Sequence, residues 1–129
     1  MFYTSYFANL KSLPSYMIPI SICGKAPDWY HGLQYKRLAP KYDFFMKWKK
    51  NHDNEYYIEQ YKSRVLESLD FWKVYDELYT LAESQCDRRA YEICLICYEK
   101  SNDFCHRHLV SDWFNQNGIL CEEFVEKEG

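Results

Sequence analysis

The chain has 129 residues, of which 47% are apolar and 19% aromatic. That is enough to bury one core, and too hydrophobic for a disordered chain. The net charge of -3 hides an asymmetry: residues 1–50 carry eight Lys/Arg against two Asp/Glu, and residues 51–129 carry eight against seventeen. A basic N-terminal part favours an anionic ligand, although "KWKKN" also reads as a solvated helix end. No stretch reaches the ~20 apolar residues of a membrane span, and "MFYTSYFANLK" lacks the pattern of a signal peptide. These features predict a single domain over residues 1–129, cytoplasmic, with no membrane partner.

In chain order, "MFYTSYF" is rich in strand formers and predicts a first strand. "YMIPISIC" predicts a second, which Pro19 confines to an edge or an end because proline cannot donate to a ladder. "LAPKYDFFMKWKKN" reads as a helix entered through Pro40. In "NEYYIEQYKSRVLESL" the residues Ile58, Tyr61, Val65 and Leu69 recur at helical spacing. "DFWKVYDELYTLAES" repeats that pattern, with Asp70 as the N-cap between the two helices.

"YEICLICYE" breaks the periodicity. A short, nearly continuous apolar run suits a strand covered on both faces, as in a parallel sheet. A helix follows over residues 104–117 and stops at Gly118, and "ILCEEFV" predicts a last strand. The order β-β-α-α-α-β-α-β predicts an α/β fold: a three-layer sandwich with a small, mostly parallel sheet and helices on both faces.

The six cysteines, Cys23, Cys86, Cys94, Cys97, Cys105 and Cys121, sit mostly in apolar runs and read as reduced thiols, several of them core packing. Cys94 and Cys97 have the spacing of a redox or zinc pair. Inside a strand, however, residues three apart point to opposite faces, so these two cannot converge.

"CYEKSNDFCHRHL" holds the residues that carry chemistry. With Asp103 as N-cap, Cys105 falls at N2 and His106 at N3, where backbone N–H groups and the helix dipole favour a thiolate or a bound anion. His106 shares an arc with Leu109, Val110, Trp113 and Phe114 and so faces the sheet. Cys105 and Arg107 flank it, about 100° to either side, and His108 points to solvent. His106 would lie just past the carboxyl end of the strand ending in Cys97, where open α/β sheets bind ligands. The loop "GKAPDWYHGLQYKR" opens on the same edge if the strands are parallel. Its Lys25, Trp29, Tyr30, His31, Lys36 and Arg37 offer charge for phosphate and flat rings for a base, or simply pin the loop.

The stretch "LICYEKSNDFCHRHLVSDWF" resembles the bacterial and phage family known as domain of unknown function 488: a strand ending in Cys, a Glu-containing loop, then Cys-His-Arg opening a helix that carries an aromatic. The matching residues are Cys97, Glu99, Cys105, His106, Arg107 and Trp113, and the likeness extends to "YTSYFANLKSLP" and "APDWYHGLQYKRLAPKYDFF". The resemblance implies an α/β fold and a shared site of Cys97, Cys105, His106 and Arg107 with the Ser5 and Trp29 segments. It implies no particular reaction, substrate or cofactor.

Three readings follow. In the first, the site takes an anionic ligand, a phosphorylated or nucleotide-like molecule or a nucleic acid. Cys105 is then the candidate nucleophile, or Arg107 an anion clamp, with His106 as general acid/base and Glu99 as a second carboxylate. In the second, Cys97, Cys105 and His106 bind zinc, with His31 or another group as fourth ligand. In the third, the helix start is structural: Cys97 and Cys105 pack, His106 bonds a strand-end carbonyl, and Arg107 pairs with Glu99 or Asp103. The protein is then an interaction module, and its aromatic surface serves a partner or a homodimer.

Overall fold

The apolar run over residues 91–99 forms the centre of a parallel sheet. The computed structural model describes residues 1–85, 91–99 and 104–125. Its strands are β1 (Phe2–Tyr6), β2 (Met17–Ser21), β3 (Leu33–Gln34), β4 (Glu92–Cys97) and β5 (Cys121–Glu123), and its helices are α1 (Tyr42–Asn51), α2 (Asn54–Tyr61), α3 (Phe71–Glu83) and α4 (His106–Gln116). The spatial order of the strands is β3-β2-β4-β1-β5, with every pair parallel. β4 lies between β2 and β1, which explains its unbroken apolar run. The α/β class, with helices layered on a parallel sheet, is as expected.

Alternation along the strands builds two unequal layers. Phe2, Ile20, Ile93 and Leu95 face the α-helices and pack with Phe44, Tyr57, Tyr61, Val74, Leu78, Val110 and Phe114. The other face presents Tyr3, Met17, Cys94 and Ile96. A 3-10 helix, Phe7–Ser12, covers it through Phe7 and Leu10, and the loop after β2 covers it through Ala26 and Tyr30.

Local chemistry sets the element ends. The Asp70 carboxylate accepts from the Trp72 and Lys73 backbone N–H groups and starts α3 as its N-cap. The periodic stretch before it is interrupted, because α2 ends at Tyr61 and continues as a π-helical turn, Lys62–Leu66. Pro19 sits where β2 is still an edge, since β3 pairs only with Ile20 and Ser21. Gly118, with φ 83°, takes the left-handed conformation that ends α4. No helix among the described residues is long and apolar enough to cross a membrane.

The strand order positions the site. From β2 the chain moves outward to β3, whereas from β4 it moves through α4 to β5, beyond β1. Connections from two neighbouring strands therefore leave in opposite directions. A crevice opens between their carboxyl ends, the place where parallel α/β sheets take ligands.

Candidate functional site

α4 starts at His106, and its N-cap is Cys105, held extended at φ −156° and ψ 147°. This corrects the placement of Cys105 at N2 and His106 at N3. The proposed cap Asp103, with Ser101 and Asn102, lies outside the described residues. The sulfur of Cys105 is bonded to that of Cys97, with the Cα atoms 7.4 Å apart. The expectation of reduced thiols thus fails for this pair, because the last residue of β4 and the cap of α4 are stacked at one sheet edge. Cys105 is accordingly not the free nucleophile of the first reading.

The other described cysteines are free and buried. Cys94 lies on the opposite sheet face from Cys97, as strand alternation requires. Burial pushes its thiol well up and that of Cys121 to about 11. Such thiols pack rather than react. Cys86 lies outside the described residues.

His106 is 5% exposed and faces the sheet, as the helical arc predicts. Its Nε2 lies 2.8 Å from the carbonyl oxygen of Ile22. A carbonyl only accepts, so Nε2 carries the proton and Nδ1 keeps its lone pair. Nδ1 is 3.7 Å from Cys105 Sγ. Burial lowers the pKa of His106 to about 4, which keeps the ring neutral near pH 7. His108, expected in solvent, is half-buried.

Arg107 is fully buried. Nε and Nη2 donate to the two carboxylate oxygens of Glu123 at 3.0 and 2.9 Å. Nη1 donates to Cys97 Sγ at 3.0 Å and to the backbone carbonyl of Glu99. The Thr4 hydroxyl donates to the same Glu123 carboxylate at 2.6 Å. The guanidinium fork is therefore filled from within the fold, which overturns the anion-clamp role. Among the described residues its carboxylate partner is Glu123, whereas Glu99 of the third reading meets it through the backbone carbonyl; Asp103 lies outside the described residues.

The crevice between β2 and β4 contains a cavity of about 440 Å³. Cys23, Gly24 and Lys25 line it from the end of β2, and Cys97, Tyr98 and Glu99 from the end of β4. His106 closes it from α4, and Phe45 and Lys49 from α1. The Tyr98 hydroxyl donates to the Lys25 carbonyl at 2.7 Å and ties the two lips together. Cys105 borders a smaller hollow behind His106, with Trp48, Tyr57 and Phe104.

Of the predicted site residues, Lys25, Cys97, Glu99 and His106 thus meet at one cavity, and Cys105 and Arg107 support it from behind. Three others stand apart. Ser5 is buried on the opposite sheet face, where its hydroxyl accepts from the Asn9 amide at 3.0 Å. Trp29 is 60% exposed, with its ring edge-on to Phe7. His31 is exposed, outside the cavity lining and outside the Cys-His cluster, so it is not the fourth zinc ligand. The sequence reading missed Lys49, Tyr98, Thr4 and Glu123. For Lys49 a signal existed, since it lies four residues after Phe45 on one helix and both reach the cavity.

The model of the active DUF488-N3 subclade (DUF488-N3a) matches residues 6–118. The chain belongs to the DUF488 family. The match covers β2, β4 and the whole of α4, and leaves Glu123 beyond its end. No curated protein and no solved structure matches this DUF488 chain.

Proposed function

We propose that this DUF488 protein binds a small phosphorylated, nucleotide-like molecule in the cavity between β2 and β4. The observation that carries the reading is one cavity at the switch point lined by Lys25, Lys49 and Tyr98, with Cys97, Glu99 and His106 alongside. Two ammonium groups suit a phosphate, and an aromatic face suits a base. The volume of about 440 Å³ lies within the range of roughly 300–1,000 Å³ common for small-molecule sites. The description of the matched subclade as active also favours a working site.

Calorimetric titration with AMP and with adenosine tests this reading. AMP binds one molecule per chain and adenosine markedly more weakly. Lys25→Ala and Lys49→Ala each weaken AMP about tenfold, or about 1.4 kcal/mol. Equal affinity for AMP and adenosine would remove the anionic requirement. Binding of a single-stranded oligonucleotide with no response to AMP would replace the small molecule by a nucleic acid.

A further inference from the structure

We propose that reduced Cys97, Cys105 and His106 form a three-ligand site for a borderline-soft divalent cation, zinc, with the fourth position open to the cavity. The ligand atoms of these three residues lie within 4.8 Å of one another, and all three residues are buried.

Adjacent residues on a helix diverge by about 100°, which argues against a joint role for Cys105 and His106. Cys105, however, is the extended cap and not part of the helix. Its sulfur turns back to 3.7 Å from His106 Nδ1. Zinc–sulfur and zinc–nitrogen bonds of about 2.3 and 2.0–2.1 Å give a tetrahedral S···N edge of roughly 3.6 Å, close to that distance.

The Cα atoms of Cys97 and Cys105 are 7.4 Å apart, wider than the roughly 4.4–6.8 Å usual for disulfides. Two thiolates at this separation can hold an ion between them. The surroundings also fit. Ile22 takes the Nε2–H of His106 and fixes Nδ1 as the free donor, the backbone-carbonyl arrangement common behind metal-bound histidine. Arg107 Nη1 donates to Cys97 Sγ at 3.0 Å, which supports a thiolate there. Cys97 and His106 line the cavity, which gives a fourth ligand a route to the ion from the cavity side. Open coordination of this kind belongs to catalytic rather than structural zinc.

The bonded pair must first be reduced. An external dithiol gives two electrons and two protons to the Cys97–Cys105 bond, yielding two thiols and an oxidised dithiol. Binding M²⁺ then releases the two thiol protons.

Cobalt substitution tests the site in the full chain. Protein reduced with a dithiol, desalted without oxygen and titrated with Co²⁺ should take up one ion per chain. A thiolate-to-cobalt charge-transfer band and four-coordinate d–d bands should appear, and Zn²⁺ should displace the cobalt. Cys97→Ser and Cys105→Ser should lose the band, and Cys121→Ala should keep it. Unreduced, unsubstituted protein should show none, a control that does not depend on any variant folding. Reduced protein with native circular dichroism and no thiolate band would overturn the proposal. The AMP titration is independent: AMP binding without a cobalt band removes the metal alone, and a cobalt band without AMP binding removes the nucleotide reading alone.

Discussion

Arg107, fully buried, is joined by two parallel hydrogen bonds to Glu123, whose side chain stays partly exposed. Removing one partner of such a pair leaves a buried charge uncompensated, at a cost of about 3–5 kcal/mol. Glu123→Ala should therefore lose about that much stability in urea denaturation. Arg107→Lys should also be destabilised, because an ammonium cannot reproduce the planar fork. A loss below about 1 kcal/mol for both would refute the buried-pair description. His106 adds a pH dependence. Burial lowers its folded pKa to about 4, below the unfolded value of about 6.5. Its contribution to stability is complete above pH ~6.5 and is lost progressively as the pH falls towards 4. Urea midpoints of metal-free protein should fall across that window, and His106→Asn should flatten the fall. At this scale the helical arc identified His106 correctly, because its neighbours are hydrophobic at regular spacing. The partner of Arg107 was hidden, since only the β1–β5 pairing brings Glu123 beneath α4.

The strands and helices were legible wherever a period or a cap marked them. Asp70 is the clearest case: its carboxylate caps α3 as its position between two periodic segments requires. Asp70→Ala should lower the stability by about 1 kcal/mol, with Asp70→Asn nearly neutral. Thermal melts that cannot tell Asp70→Ala from the parent would contradict the capping role. β3 was illegible because two residues carry no period, and the π-helical turn after Tyr61 keeps an apolar spacing close to that of a helix. The start of α4 was misplaced for a different reason. Several good capping residues precede it in sequence, yet the tie between Cys105 and the end of β4 holds that residue extended. A covalent bond across the β4–α4 loop overrode a local preference, and with it the inferred position of the thiol.

Across the whole molecule, the cavity exists because three separate segments meet at one sheet edge. The order β3-β2-β4-β1-β5 sends the chain away in opposite directions after β2 and β4, and the crevice collects Lys25, Tyr98, Glu99, His106 and Lys49. The α/β class and the carboxyl-edge location followed from the alternation of elements and from the one continuous apolar strand. Which side chains reach the cavity did not follow, since Trp29, His31 and Ser5 have suitable chemistry and point elsewhere. The most direct test is an AMP titration of ¹⁵N-labelled protein followed by backbone amide shifts. The cavity account predicts saturable shifts at Gly24, Lys25, Lys49, Tyr98 and Glu99, with Trp29 and His31 nearly still. No shift at the β2 and β4 ends with millimolar AMP, or shifts confined to Trp29 and His31, would contradict it.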